Sequence, residues 1–335
     1  MNNLLDFWTD EKEPIIETNQ ELPLEFQKCK QFGVPYMGSK NQIVKKLIEQ
    51  LPSSKYFIDL FAGGCSMTHG AMLSGKYERF IANDISDAPS LFLDAINGKF
   101  KNETRWISRD DFFALKDKEP YIRYCWSFGN CARTYIYSKE IEPYKKAFWE
   151  FTVLKNPEPL KEFGFNVDEL LDLPSTTERR LAFSKYLKKN KEFNDKSLQS
   201  FQLQNLQSLQ SLERLERLQR LESLESLKSL KSLEVYQGYY KEVKLPEPSE
   251  CVIYCDPPYK GTASYNGKNE ITSFNHAELY DFCENLASKG YKIFISEYWM
   301  PPERFKSIFN VDKRQQLHGL GAGKVKQEHL FVPII

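Results

Sequence analysis

Apolar positions change their spacing along the chain, and each change marks an element. In NQIVKKLIEQLP they recur at three- and four-residue intervals, the spacing of one helix face. YFIDLF is nearly continuous in apolar residues, as in a strand covered on both faces, and AGGCS breaks it before a helix containing MTHGAML. RFIAND and PSLFLDAING repeat the order as strand and helix, closed by Gly98. Two such units in succession predict a parallel sheet. Later, VYQGYYKEV, CVIYC and YKIFIS read as strands, NHAELYDFCENLASKG as a helix, and KRQQLHGLGAGKVKQEHLFVPII as two short strands around a glycine hairpin. The expected class is α/β, a doubly wound, mostly parallel sheet of the Rossmann type.

Three stretches depart from this pattern. Residues 1–31 are acidic and weakly periodic and read as a leader. Residues 99–200 are rich in aromatic and basic side chains (RYCWSFGNCARTYIYSKE, YKKAFWEF) and read as a largely helical insert. Between Arg179 and Lys196 there are seven positive and two negative side chains, a local basic field. In residues 201–234 Leu stands at every third position, eleven times from Leu203 to Leu233. At about 100° per residue such a row winds round an α-helix, whereas a 3₁₀ helix would keep it aligned but rarely persists. Good helix formers, the absence of Gly and Pro, and the spacings Glu213–Arg217 and Glu216–Arg220 favour a helix that protrudes or self-associates. The expected catalytic domain is then residues 32–98 joined to 235–335.

Composition narrows the class. The chain has 335 residues, 41% hydrophobic and 27% charged, which excludes a disordered tail or a disulfide mini-protein. Lys+Arg and Asp+Glu balance at 46 each, so any surface for nucleic acid must come from local segregation of charge. The acidic start and the lack of long apolar runs predict a cytoplasmic protein without membrane association. Seven scattered Cys read as reduced thiols; Cys251 and Cys255 with His276 form a conceivable zinc set, but CVIYC reads as core strand, and no metal is expected.

Candidate chemistry gathers where strands end. Asp256-Pro257-Pro258-Tyr259 follows a strand directly, at the sheet edge where open α/β sheets bind ligands. The prolines restrain Asp256 and leave carbonyl acceptors without N–H donors. An acid, a fixed carbonyl and an aromatic face suit a planar, amino-bearing ring. Asp59-Leu60-Phe61-Ala62-Gly63-Gly64 ends another strand, with glycines that admit a ligand close to the backbone. It has neither the GxGxxG of a dinucleotide site nor the GK[ST] of a P-loop. Asp84, ending the next strand, stands where a carboxylate binds ribose hydroxyls. The ligand looks like a nucleoside without phosphates.

Val34-Pro-Tyr-Met-Gly-Ser-Lys40, DLFAGG, ANDI, the aromatic-basic insert and DPPY, in that order, resemble the Dam-type, α-group adenine-specific DNA methyltransferases over residues 32–335. The resemblance implies S-adenosylmethionine as donor. Tyr36, Lys40, Asp59, Phe61, Gly63, Gly64 and Asp84 would bind it, and Asp256, Pro257, Pro258 and Tyr259 would carry catalysis. It implies double-stranded DNA as partner, with target recognition in the insert. Asn130 and Arg133 are candidates for base edges. Arg179, Arg180, Lys188, Lys189, Lys313, Arg314, Lys324 and Lys326 are candidates for the backbone. A departure is Tyr239, where an acidic residue near the cofactor adenine is expected.

The expected reaction is methyl transfer to adenine N6, with the base extruded from the duplex. Cytosine N4 or an RNA base is an alternative acceptor. Protein glutamine is less suited, because Asp256 stands where an amide-binding residue is needed. A non-catalytic scaffold built on the Leu-rich helix is the reading of another class. Whether a restriction endonuclease accompanies the enzyme is open.

Overall fold

The computed structural model describes residues 22–189, 213–229, 232–259, 274–314 and 325–335. The chain divides into two units, one of Met1–Phe100 with Arg220–Ile335 and one of Lys101–Gln219. Its strands are β1 (Tyr56–Asp59), β2 (Arg79–Asp84), β3 (Ser232–Gln237), β4 (Cys251–Cys255), β5 (Lys292–Glu297), β6 (Phe305–Arg314) and β7 (Val325–Pro333). Its helices are α1 (Leu24–Lys28), α2 (Val44–Gln50), α3 (Ser66–Ser74), α4 (Ala88–Ile96), α5 (Arg109–Leu115), α6 (Pro120–Cys125), α7 (Glu142–Leu154), α8 (Glu158–Glu162), α9 (Thr176–Lys189), α10 (Glu213–Ser223) and α11 (His276–Ser288).

In the first unit the strands form one sheet in the order β3-β2-β1-β4-β5-β7-β6. The pairs from β3 to β5 are parallel, while β7 runs antiparallel to β5 and β6. Every residue of β4 is buried, as are three of four in β1, four of six in β2 and five of six in β5, which is why their middles read as apolar runs. Strand order reverses between β1 and β4, so the carboxyl ends of these two neighbours, with Asp59 registered against Tyr254, flank the switch point at which such sheets bind ligands.

Four expectations change. Residues 22–31 are not all leader, because α1 seats Phe26 in the core, its ring 6.0 Å from Phe32. The C-terminal pair is longer and starts earlier than expected. β6 begins at Phe305, in a stretch whose alternation is blurred by a register shift between Ser307 and Phe309. The hairpin tip, residues 315–324, lies outside the described residues. The expected strand in VYQGYYKEV ends at Gln237 and starts within the Leu run, at Ser232. The boundary expected at residue 235 therefore falls inside β3.

The Leu-triplet run is likewise not one helix. Residues 203–212 lie outside the described residues; α10 then passes into a 3₁₀ segment, Leu224–Ser229, which packs on α4. A repeat of three matches the 3₁₀ turn, so Leu224 and Leu227 share one side, and both are buried together with Leu221. The charges between the leucines make tertiary bonds. Arg220 donates Nε to Gly33 O at 2.7 Å and NH2 to Phe32 O.

The second unit is helical, as expected of the insert, with α5 to α9 around an aromatic core. Trp126 stacks on Tyr135 with centroids 6.3 Å apart and Trp106 on Tyr137 at 5.8 Å, while Trp149, Phe148 and Phe151 are buried. Most aromatics that lend this stretch its character are thus interior.

Candidate active site

The segments expected to carry chemistry converge in the first unit. β4 ends at Cys255, and Asp256 to Tyr259 leave the sheet at its carboxyl edge, with Pro257 buried. Beside it, β1 delivers Asp59 and the turn Leu60 to Gly64. Leu60 donates its N–H to Tyr254 O at 3.0 Å and Ala62 to Asn83 O at 2.8 Å, so the turn is laced to both neighbouring strands. Asn83 donates its side-chain amide to Leu60 O at 3.1 Å and to Gly238 O at 3.3 Å.

The glycine turn has no room for side chains. Gly63 has φ +47, and a Cβ there would stand 2.8 Å from Tyr36 Cε1; at Gly64 it would stand 2.5 Å from Tyr36 Cβ and 2.9 Å from Val34 O. Val34 N–H donates to Gly64 O at 2.8 Å, so the VPY segment lies along the turn with Tyr36 over it. Gly33 is held from both sides, its N–H donating to His69 Nδ1 at 2.9 Å and its carbonyl accepting from Arg220.

Two acids line this turn in different states. Asp84 accepts from Gly63 N–H through Oδ2 at 2.9 Å and from Ser86 N–H through Oδ1 at 2.8 Å, which fixes its carboxylate while each oxygen keeps a further lone pair. Asp59 is buried; its Oδ2 accepts from Thr68 Oγ1 at 2.9 Å, and its Oδ1 is buried without a hydrogen-bond partner. Burial pushes its carboxyl up to about 7, opposed by the Thr68 bond and helped by the charges of Asp256 and Asp84. Phe61 packs against Tyr240 and Phe274, with centroids 5.0 and 5.7 Å away.

On the tetrapeptide side stands Lys40. Its ammonium lies 2.7 Å from Asp256 Oδ1 and 3.1 Å from Glu328 Oε1, and it also donates to the Tyr259 hydroxyl. That hydroxyl donates to Glu328 Oε1 at 2.8 Å, and the ammonium sits 4.4 Å from the Tyr259 ring centroid. Burial disfavours the Lys40 charge, but Asp256 and Glu328 outweigh it and raise its pKa. Burial with the same two carboxylates raises the Tyr259 phenol, which stays protonated. Tyr298 meets the Tyr259 ring edge-on at 4.6 Å.

Residues 36–318, most of the chain, match the family model of the D12 class N6 adenine-specific DNA methyltransferases. The chain belongs to that family. No curated protein matches it. Among solved structures it is similar to the rRNA methyltransferase aviRa from Streptomyces viridochromogenes, with a TM-score of 0.34 and 11% identity over 94% of each chain. A likeness that remote says nothing of substrate. The protein is thus an enzyme, an adenine-specific DNA methyltransferase on a doubly wound α/β fold.

Of the residues singled out for this methyltransferase, Tyr36, Lys40, Asp59, Phe61, Gly63, Gly64, Asp84 and Asp256 to Tyr259 all lie in the first unit, around the carboxyl ends of β1, β2 and β4. Lys40 differs in partner, since its ammonium meets Asp256 and not the glycine turn. Glu328, fully buried on β7, escaped notice. The signal was an acid in step with Leu330 and Val332 on a strand where alternate positions face inward. His276, weighed in the sequence only as part of a conceivable zinc set, instead places its Nε2 2.9 Å from Pro258 O, and nothing in the sequence announces that contact. Cys251 and Cys255 are buried core thiols, and the described residues contain no group of three or more acidic, His or Cys side chains able to hold a metal ion. Tyr239 donates its hydroxyl to Glu278 Oε2 at 2.8 Å. No helix among the described residues is long and apolar enough to cross a membrane.

In the second unit, Arg133 is exposed in a loop closed by Phe128 N–H to Thr134 O at 2.9 Å and by the Ser127–Tyr135 bridge. Gly129, Asn130 and Ala132 all have positive φ, of 59°, 55° and 62°, so the loop is tightly wound. Arg217 braces its base, donating to Cys125 O at 2.9 Å and Ser127 O at 2.8 Å. One of the expected contacts to the DNA backbone is corrected. Arg179 is buried and donates to Thr152 O at 2.8 Å, in the last turn of α7, and to the loop carbonyl Leu173 O at 2.6 Å, so its guanidinium is consumed by backbone carbonyls. Arg180 pairs with Glu216 at 2.6 Å. The side chains of Lys188, Lys189, Lys313 and Arg314, and Lys324 as a whole, lie outside the described residues. Lys326 stands 4.6 Å over the Tyr298 ring.

Proposed function

We propose that the enzyme transfers the methyl group of S-adenosylmethionine to N6 of an adenine extruded from duplex DNA. The observation that carries this reading is the meeting of DPPY and the glycine turn at the switch point between β1 and β4. The residues present fit the donor. Gly63 and Gly64 let the turn lie directly against Tyr36 with no side chain between, Asp84 offers a fixed carboxylate to ribose hydroxyls, and Asp59 Oδ1 is a buried acceptor suited to a cation such as the methionine ammonium. When bound, the donor supplies an electrophilic methyl on a sulfonium. Tyr36 and Phe61 would border it.

The acceptor side follows from DPPY. An exocyclic amine is a poor nucleophile while its lone pair is delocalised into the ring. Asp256 and the Pro257 carbonyl accept its two protons as hydrogen bonds, which favours a tetrahedral nitrogen and orients it for in-line attack. Tyr259, kept neutral, gives the extruded base a face to stack on in place of its lost neighbours. The second unit would read sequence, with Arg133 and Asn130 on its wound loop as the side chains for base edges.

The test is to incubate the protein with S-adenosylmethionine and unmethylated bacterial genomic DNA and read modified bases by single-molecule sequencing. N6-methyladenine in one short recurring sequence is expected, together with loss of the mark in Asp256→Ala. Marks on cytosine, or no mark with donor binding intact, would overturn the reading.

A further inference from the structure

One ammonium stands between two carboxylates of unequal exposure. Lys40 Nζ is 2.7 Å from Asp256 Oδ1 and 3.1 Å from Glu328 Oε1, with the Asp256 side chain 19% exposed and Glu328 at 0%. A planar base can therefore reach Asp256 and not Glu328. Lys40 holds one of the two Asp256 carboxylate oxygens, Oδ1, so a base amine that takes Asp256 competes with that ammonium for the carboxylate. Breaking a buried ion pair by removing one partner is strongly unfavourable, because it strands a desolvated charge. Glu328 removes that obstacle. It already touches the same ammonium, so a short movement of a flexible lysine stem leaves the cation paired.

Resting on the reading of Asp256 as acceptor for the base amine, we infer that Glu328 is a positioning residue that holds the Lys40 ammonium when the target amine claims Asp256. Glu328 has a second grip on the same event. Its Oε1 accepts from the Tyr259 hydroxyl at 2.8 Å, which sets the plane of the ring expected to stack on the base. Lys40 and Tyr259 are thus both referred to one buried oxygen on β7. A carboxylate suits this task better than an amide, since only the charge retains the ammonium once Asp256 is occupied by another donor. Asp256 and Tyr259 come from the tetrapeptide after β4 and Lys40 from the segment before α2; the two meet directly, and the β7 acid contacts both from a third element.

Four variants decide this: Glu328→Gln, Lys40→Met with and without Glu328→Gln, and Asp256→Asn. The readouts are methyl transfer kinetics, calorimetric binding of S-adenosylmethionine, and the fluorescence of DNA carrying 2-aminopurine at the target adenine. Glu328→Gln is expected to lower kcat by about 10²-fold, in line with a misplacement of reacting groups, and to reduce the fluorescence rise of base extrusion. Donor affinity is expected to stay within about twofold, a split that a merely structural residue would not produce. In the Lys40→Met background the same substitution should cost less than in the wild type, because only the bond to the Tyr259 hydroxyl is then left for it to remove. Wild-type kcat in Glu328→Gln, additive losses, or equal loss of donor binding and turnover would each overturn the inference. Should Glu328→Gln not fold, Glu328→Asp, charged but a methylene shorter, is judged by the same split. Full activity in Asp256→Asn would instead sink the underlying reading, whatever Glu328→Gln does.

Discussion

Asp84 Oδ2 accepts a 2.9 Å hydrogen bond from the backbone N–H of Gly63, joining the end of β2 to the glycine turn after β1. The bond fixes the backbone where a Cβ would already collide with Tyr36 and Val34. Gly64→Ala therefore has no small adjustment open to it, since Val34 O at 2.9 Å is itself backbone, in a residue whose N–H donates to Gly64 O. We expect a loss of about 1–3 kcal/mol in stability from overpacking. Donor affinity should fall by about tenfold or more, measured by calorimetry. Unchanged affinity would separate the turn from the donor site.

Asp59 makes a pH prediction. Its folded pKa of about 7 lies above the ordinary aspartate value near 3.9, mainly through burial. Between those values the folded chain holds a proton that the unfolded chain has lost. Stability from this group is present at low pH and declines as pH rises through the window, by up to about 1.4 kcal/mol per pH unit. Denaturation of the donor-free protein between pH 5 and pH 7.5, both within reach of about that window, should show the decline in the wild type and not in Asp59→Asn. Parallel slopes in the two proteins would refute it.

Arg179 and Arg133 should behave oppositely. Arg179→Ala unties two backbone carbonyls in the interior and should destabilise by about 1–3 kcal/mol while leaving the salt dependence of DNA binding unchanged. Arg133→Ala touches an exposed loop side chain and should leave the melting temperature alone while relaxing sequence preference at one position. Thermal melts and binding to a library of single-base variants check both. A reduced salt slope in Arg179→Ala would restore it as a phosphate contact.

The Leu triplets can be weighed one by one. Leu221 and Leu224 are fully buried, and replacement of either by Ala should cost about 2–5 kcal/mol in denaturant unfolding. Losses below about 1 kcal/mol, the range of a surface site, would show that the run does not pack on α4.

The sheet was legible in the sequence because strands buried on both faces are apolar through their middles, as β1, β2, β4 and β5 are, with polar residues such as Asp59, Asp84 and Glu297 toward their ends. The glycine turn, Asp84 and the DPPY segment were legible for a related reason, since each depends on local backbone requirements that few residue types meet. The leucine run was not, because a period of three fits no long helix and its 3₁₀ segment packs on α4, a partner distant in sequence. Nor was the fate of Arg179, whose charge reads as solvent-seeking until the open carbonyls of Thr152 and Leu173 surround it. Glu328 belongs with these. Sequence by itself determined which strands form and which side chains are capable of the chemistry, because hydrophobic period and backbone restriction are local. Only the tertiary structure decided that Lys40, Asp256, Tyr259 and Glu328 share one ammonium, because a buried charge is placed by partners that arrive from distant strands.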